Sequence, residues 1–173
     1  TGDTTIGAVT GNNNNLTLDT TGSIGSTSHT FTGDINLGTG KLHVTGDAVL
    51  GANISITATA SSGHGIRFRD KINADDATNN DRTLTLDSGT ASSIRMDHKI
   101  GDSQPLAGLT VIQSRNADFR NVVDVTDSSS GTITITDTAN GRNIVFRGTT
   151  TADSFVTTTE GYDIFFFSSN VTI

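Results

Sequence analysis

Arg67, Arg69 and Asp70 are followed one short repeat later by Arg95 and Asp97. Guanidinium and carboxylate groups gathered on one face are what a carbohydrate-active β-helix needs to grip an acidic polysaccharide. The same five residues also read as a stacked charge ladder. Asp97-His98 is the one carboxylate–imidazole neighbour pair. Adjacent side chains on a strand or corner diverge, so no catalytic residue is assigned. His29, His43, His64 and His98 lie far apart with no metal-ligand spacing, and His43 alternates with Leu42 and Val44 as an outward strand residue. Gly38-Thr39-Gly40-Lys41 fails as a phosphate loop, because Ile35 stands where the first Gly belongs and Leu42 replaces Ser or Thr. No G-x-S-x-G elbow is present.

One segment offers hard oxygen ligands: Asp75, Asp76, Asn79, Asn80 and Asp81. It lacks EF-hand spacing. A solvated loop and no cofactor are expected, with Asp75, Asp76 and Asp81 the residues that would take Ca²⁺. The C-terminal run Tyr162 to Ile173 is the most apolar stretch. Phe165, Phe166 and Phe167 cannot all enter one core, because alternate strand residues face opposite sides. With Tyr162 they are the expected interface residues; two-sided burial under a loop is the structural alternative.

The elements that carry these residues must be strands. Seventeen acidic residues are Asp and one is Glu, only three residues are Lys, and Thr, Ser, Asn, Asp and Gly dominate. These residues compete with helix through local hydrogen bonds or backbone freedom, whereas Thr, Val, Ile and Phe suit pleated surfaces. Leu, Ile, Val and Phe make up 42 of 173 residues, a thin supply for a thick globular core but enough for a narrow one repeated along an axis. The net charge of −7 argues against nucleic acid as a partner and keeps an exported protein soluble. There is no Cys, and no transmembrane run or targeting segment is visible, so no membrane insertion is expected.

Apolar residues alternate in short pairs, among them Leu16-x-Leu18, Leu42-x-Val44, Ile54-x-Ile56, Ile66-x-Phe68, Ile94-x-Met96, Leu109-x-Val111, Ile133-x-Ile135 and Ile144-x-Phe146. Longer similarities recur. Thr1-Gly2-Asp3 returns as Thr45-Gly46-Asp47, 44 residues on, and Leu16-Thr17-Leu18-Asp19 returns as Leu84-Thr85-Leu86-Asp87, 68 residues on. Ile66-Arg67-Phe68-x-x-Lys71-Ile72 returns as Ile94-Arg95-Met96-x-x-Lys99-Ile100 after 28 residues, and Ile144-x-Phe146-Arg147 repeats the first of these after 78. A weaker copy starts at Phe31-x-x-x-Ile35. The recurring unit is a strand with a large inward residue, a three-residue polar corner and a second inward aliphatic. Stacked units of this kind predict one all-β domain over residues 1–173, a parallel β-solenoid or β-helix with irregular coils. An antiparallel β-sandwich is the competitor, and Asn140-Gly141 is the one good hairpin signal. Two loops are expected to interrupt the repeat, at Asn73 to Asp81 and at Asp127 to Gly131. The tract Asn12 to Asn15 suits left-handed backbone.

The stretch from Leu84 to Val111 resembles the strand repeats of giant bacterial surface and secreted proteins, the filamentous-haemagglutinin-like or autotransporter-like adhesins. The matching pieces are Leu84-Thr85-Leu86-Asp87, Ile94-x-Met96, Ile100-Gly101 and Pro105-Leu106-Ala107-Gly108-Leu109-Thr110-Val111. Val156-Thr157-Thr158-Thr159, Tyr162 and Val171-Thr172-Ile173 look like later parts of the pattern. Met96-Asp97-His98 and Phe165-Phe166-Phe167 depart from its usual Gly and Thr. The resemblance implies a right-handed β-helix, export from a bacterium, and no catalytic residues.

These readings converge on an extracellular structural or adhesive solenoid on a bacterial surface, forming a stalk, shaft or filament. Thr1 falls inside the Thr-Gly-Asp repeat and Ile173 in a strand, so a segment of a longer array or a fibre subunit is expected. Its partners would be copies of itself, neighbouring repeats, a host surface or a polysaccharide. Two alternatives remain: a polysaccharide lyase or tailspike-like depolymerase, and a donor-strand, pilin-like fibre subunit.

Overall fold

A strand whose alternate residues are apolar buries one face only, and a short strand buries little by itself. In the computed structural model, which describes residues 3–20, 27–75, 82–126, 130–158, 161–168 and 170–173, the chain solves this by winding into stacked triangular coils. The first coil holds β1 (Thr4–Ile6), β2 (Val9–Thr10) and β3 (Leu16–Asp19). The second holds β4 (Ser28–Phe31), β5 (Ile35–Asn36) and β6 (Leu42–Thr45), and the third β7 (Asp47–Leu50), β8 (Ile54–Thr57) and β9 (His64–Phe68). The fourth holds β10 (Ile72–Ala74), β11 (Thr83–Gly89) and β12 (Ser93–Met96), and the fifth β13 (Gly108–Ser114) and β14 (Ala117–Phe119). The sixth holds β15 (Val123–Val125), β16 (Thr132–Thr138) and β17 (Asn143–Phe146). The seventh holds β18 (Thr150–Ala152), β19 (Ser154–Thr157) and β20 (Asp163–Phe166), after which β21 (Val171–Thr172) starts another circuit.

Every strand pairs in parallel with its counterpart one coil away. The second face is a seven-stranded sheet from β2 to β19, and the third a seven-stranded sheet from β3 to β20. The first face divides into four strands (β1, β4, β7, β10) and three (β15, β18, β21), joined through Ile100, which bridges Ile72 and Val123. This is a parallel β-solenoid; an antiparallel sandwich, and with it a pilin-like one, is not the architecture.

Register turns the coils into columns. On the third face Leu16, Leu42, Ile66, Ile94, Ala117, Ile144 and Ile164 stack inward, as do Leu18, Val44, Phe68, Met96, Phe119, Phe146 and Phe166. Phe119 lies flat on Phe146 at 4.8 Å between ring centroids, and Phe146 on Phe166 at 5.1 Å. Fully burying one such side chain contributes about 1.5–3 kcal/mol, which no coil obtains without its neighbours.

The corner leading from the third face to the first is the recurring three-residue corner. Phe68 and Ile72, Met96 and Ile100, and Phe119 and Val123 are inward on either side of it. The 28-residue repeat is one coil, since Ile66 pairs with Ile94, and the 78-residue repeat joins β9 to β17 across three coil steps. The Thr-Gly-Asp repeat spans two coils, with Thr4 and Ala48 both in register with His29. Two similarities mean something else. Leu16–Asp19 lies on the third face and Leu84–Asp87 on the second, because either face accepts an inward Leu-x-Leu. Phe31 to Ile35 turns from the first face to the second, so it is a different corner.

Side-chain clamps complete the corners. The Oδ1 atoms of Asn15, Asp34, Asn53 and Asn73 accept the backbone N–H groups of Lys41, Ser55, Thr83 and Ser103, each one coil later. Asn116 does the same for Asn143. Asn73 and Ala74 therefore belong to β10 and not to a loop, while 76–81 and 127–129 of the two expected loops lie outside the described residues. Asn12 and Asn13 do adopt left-handed backbone, at φ 44° and 68°. Asn140-Gly141 forms a corner between β16 and β17, which lie in different sheets, and not a hairpin. Gly65 is required by close approach: a Cβ there would stand 2.2 Å from the Ala58 carbonyl oxygen and 2.3 Å from Ser92 Oγ.

Candidate functional site: the arginine face

Because Ile66, Phe68, Ile94, Met96, Ala117, Phe119, Ile144 and Phe146 point inward, the residues between and just after them must point out. Between them stand Arg67, Arg95, Asp118 and Val145, aligned by register across β9, β12, β14 and β17. One position further on, the backbone ladder continues through Arg69, Asp97, Arg120 and Arg147, whose N–H groups donate to Val44, Phe68, Met96 and Phe119 carbonyls one coil earlier. Arg115 and Arg142 flank the other edge of the face. Seven of the eight arginines of this acidic chain thus belong to one face or its edge; the eighth is Arg82.

Like charges directly across a sheet repel, and Arg67 is aligned with Arg95. Asp97 holds them together. Arg67 donates from Nε and Nη2 to Asp97 Oδ2 at 2.9 and 2.7 Å, and Arg95 donates from Nε to Oδ1 at 2.6 Å. Arg120 Nη1 reaches Oδ1 at 3.4 Å. Asp118 continues the chain of pairs, with Arg147 Nε at 2.6 Å and Arg120 Nε at 3.5 Å, and the Arg147 guanidinium lies 5.6 Å from the Phe167 ring centre. Burial pushes the Asp97 carboxyl up, but the hydrogen bonds from Arg95 and Arg67 outweigh it and hold Asp97 below the usual aspartate range. His64 sits at the edge of the same cluster. Burial lowers its pKa, and the charges of Arg95, Arg67 and His43 lower it further against the opposing pull of Asp97.

The five residues singled out from the sequence divide. Arg67, Arg95 and Asp97 come together as one hydrogen-bonded cluster. Arg69 is exposed and makes no ion pair within the described residues, and Asp70 serves the corner by accepting the Gly46 N–H at 2.8 Å. Asp97 and His98 form no hydrogen bond with each other; the carboxylate is occupied by arginines. His43 is outward and half-buried, while His29 is a core residue with Nε2 3.2 Å from the Thr45 carbonyl oxygen.

The acidic residues considered for calcium lie elsewhere. Asp75 is gripped by Arg82 through Nε at 2.8 Å and Nη2 at 3.0 Å, and these bonds hold its carboxyl below the ordinary range. Asp76 and Asp81 lie outside the described residues. Among the described residues no group of three or more His, Asp or Glu has a metal-binding arrangement.

The aromatic run splits by pleat. Phe166 packs inward beneath Phe146 and edge-on to Phe155, 5.6 Å away, while Phe165 and Phe167 stack on each other outside at 6.2 Å. Tyr162 is half-buried and donates its hydroxyl to the Ile135 carbonyl at 3.0 Å. Phe167 is 66% exposed.

Arg115, Arg120, Arg142 and Asp118 were not singled out by the sequence. The signal was present as Phe-Arg following an inward residue two positions earlier, in Ile66–Arg69, Ala117–Arg120 and Ile144–Arg147. Ala117 hid the middle copy, because a small residue weakens the alternation.

Fold and site together define a parallel β-solenoid with one arginine-lined face. No family model matches the chain, and no curated protein or solved structure matches it.

Proposed function

We propose that this chain is a structural segment of a bacterial extracellular shaft or adhesive filament and does no chemistry of its own. The observation that carries the reading is the continuous parallel pairing of strands through seven coils on the second and third faces, which makes length the cheapest property for such a chain to extend. The resemblance of Leu84–Val111 to adhesin strand repeats supports the setting. The lowered pKa of Asp97 supports a scaffold: a general acid needs a raised value and a general base one near neutrality. Partners in this reading are coils of the same kind, meeting Phe166 at the open end of the inward column and the exposed Phe165, Phe167 and Val156, supplied by the same chain or a second copy.

Electron micrographs of the native material test it. Thin rods or fibres are expected, and isolated compact particles would overturn the shaft. Protease treatment of intact cells should release fragments of the chain if it is surface-exposed.

A carbohydrate-active β-helix is the second reading, favoured by the Arg67–Asp97–Arg95 cluster. Turnover of an acidic polysaccharide that disappears in Arg67→Ala would replace the scaffold with an enzyme.

A further inference from the structure

The distribution of charge is uneven in a way that the fold does not require. The chain carries −7 overall, yet β9, β12, β14 and β17 with their edges gather seven arginines against three aspartates, Asp97 and Asp118 on the face and Asp70 at its corner. On the second face the equivalent outward column is Ser55, Thr85, Thr110 and Thr134, all uncharged, and the next is Thr57, Asp87, Gln113 and Asp137, acidic and again without arginine. A solenoid wall is therefore built without arginine in the same coils.

We propose that the arginine face binds a linear acidic polysaccharide laid along the solenoid axis. The internal ion pairs leave donors over. Arg95 and Arg147 use only Nε on Asp97 and Asp118, so their Nη groups make no hydrogen bond within the described residues. Arg69, Arg115 and Arg142 are exposed and make no ion pair there at all. Asp97 and Asp118 instead hold the guanidiniums of Arg67, Arg95 and Arg147 in fixed positions, which lowers the ordering cost of binding. A guanidinium fork suits carboxylate or sulfate, which it meets bidentately.

The spacing suits a polymer. Coils repeat about every 4.8 Å, close to the length of one sugar ring, so the four coils from β9 to β17 span about 14 Å along the axis. Beside the arginines runs a polar column of His64, Ser93, Asn116 and Asn143, able to meet ring hydroxyls. Across β9, β12 and β14 the aligned outward positions Arg67, Arg95 and Asp118 are all charged, and the column turns apolar only at Val145 and, on β20, Phe165. Over those three coils this disfavours a protein partner, which needs apolar anchors, and single-stranded nucleic acid, which needs stacking platforms.

The proposal names a ligand for the adhesive part of the proposed function and rests on that part alone. Binding by the isolated chain is independent of whether the native material forms rods, so the two readings fail separately. The test is titration of the purified chain with polygalacturonate, chondroitin sulfate, neutral dextran and poly(dT), in low and in physiological salt. Expected are binding to one or both acidic glycans that weakens with salt, and none to dextran. A preference for polygalacturonate or for chondroitin sulfate identifies carboxylate or sulfate as the group read. The triple variant Arg69→Ala, Arg115→Ala, Arg142→Ala removes only exposed, unpaired side chains and should weaken binding about tenfold or more. Thr110→Ser on the second face should leave it unchanged. No glycan binding in low salt, equal binding by the triple variant, or tighter binding of poly(dT) than of either glycan would overturn the proposal.

Discussion

The second and third faces are two walls of one tube. Both are seven-stranded, both are parallel, and both feed aliphatic columns into the same core. They differ in what stands between the inward residues: Ser55, Thr85, Thr110 and Thr134 on one wall, Arg67, Arg95 and Asp118 on the other. The solenoid thus separates two tasks that a globular core mixes. Inward positions are dictated by stacking, and outward positions are free to carry charge in any order the register allows. Where arginines become neighbours, carboxylates stand between them; the other wall carries Asp87 and Asp137 beside its threonines, with Gln113 donating to Asp137, and no arginine.

The comparison can be broken most severely at the shared core. Phe119→Ala behind the arginine wall should cost about 3–5 kcal/mol, and Leu109→Ala behind the threonine wall about 2–5 kcal/mol, read by chemical denaturation. A near-zero cost on either side would mean that the walls do not share a core. Next come the outward positions. Asp97→Ala leaves Arg67 and Arg95 facing each other and should cost about 1–2 kcal/mol, between the values for exposed and buried pairs. Thr134→Val should stay within about 0.5 kcal/mol. Equal effects would erase the distinction between the walls.

Acid sharpens it further. Asp97 is held below the ordinary aspartate value of 3.8, so its stabilising contribution is complete above that pH and is lost as pH falls through the lower folded-state value. Asp97→Asn should flatten the acid limb of a stability–pH curve, and Thr134→Val should not. The smallest expected effect belongs to His64. Its folded-state pKa lies below 6.5, so the unfolded chain takes up the proton first and stability declines as pH drops below about 6.5. His64→Gln should remove that slope; a slope that persists unchanged would assign it to another group.

Much of this architecture is legible in the chain. The alternation in Ile66-x-Phe68 and the three-residue corner to Ile72 mark inward positions, because a strand that turns after three polar residues returns to the core at the fourth. The arginine face is only half legible. Arg67 and Arg95 stand out because Ile66–Ile72 and Ile94–Ile100 are near copies. Aligning Asp118 with Arg95 requires the register of β14, and coil length is not constant: Asp34 clamps a residue 21 positions on and Asn53 one 30 positions on. Leu16–Asp19 and Leu84–Asp87 mislead for a related reason, since an inward Leu-x-Leu names a wall but not which wall. The clamping asparagines were invisible as well; their side chains act across a coil, and sequence distance hides that.

Those clamps also give the stack a direction. Asn15, Asp34, Asn53, Asn73 and Asn116 all lend an oxygen forward, to an N–H of the coil that comes later in the chain. At these corners a finished coil presents the acceptor before its successor exists, whereas Asp70 and Asp153 work the other way, accepting the N–H groups of Gly46 and Gly131 in the coil before. The balance still favours one end, and a chain emerging amino-terminus first finds part of a template already laid down for each new turn.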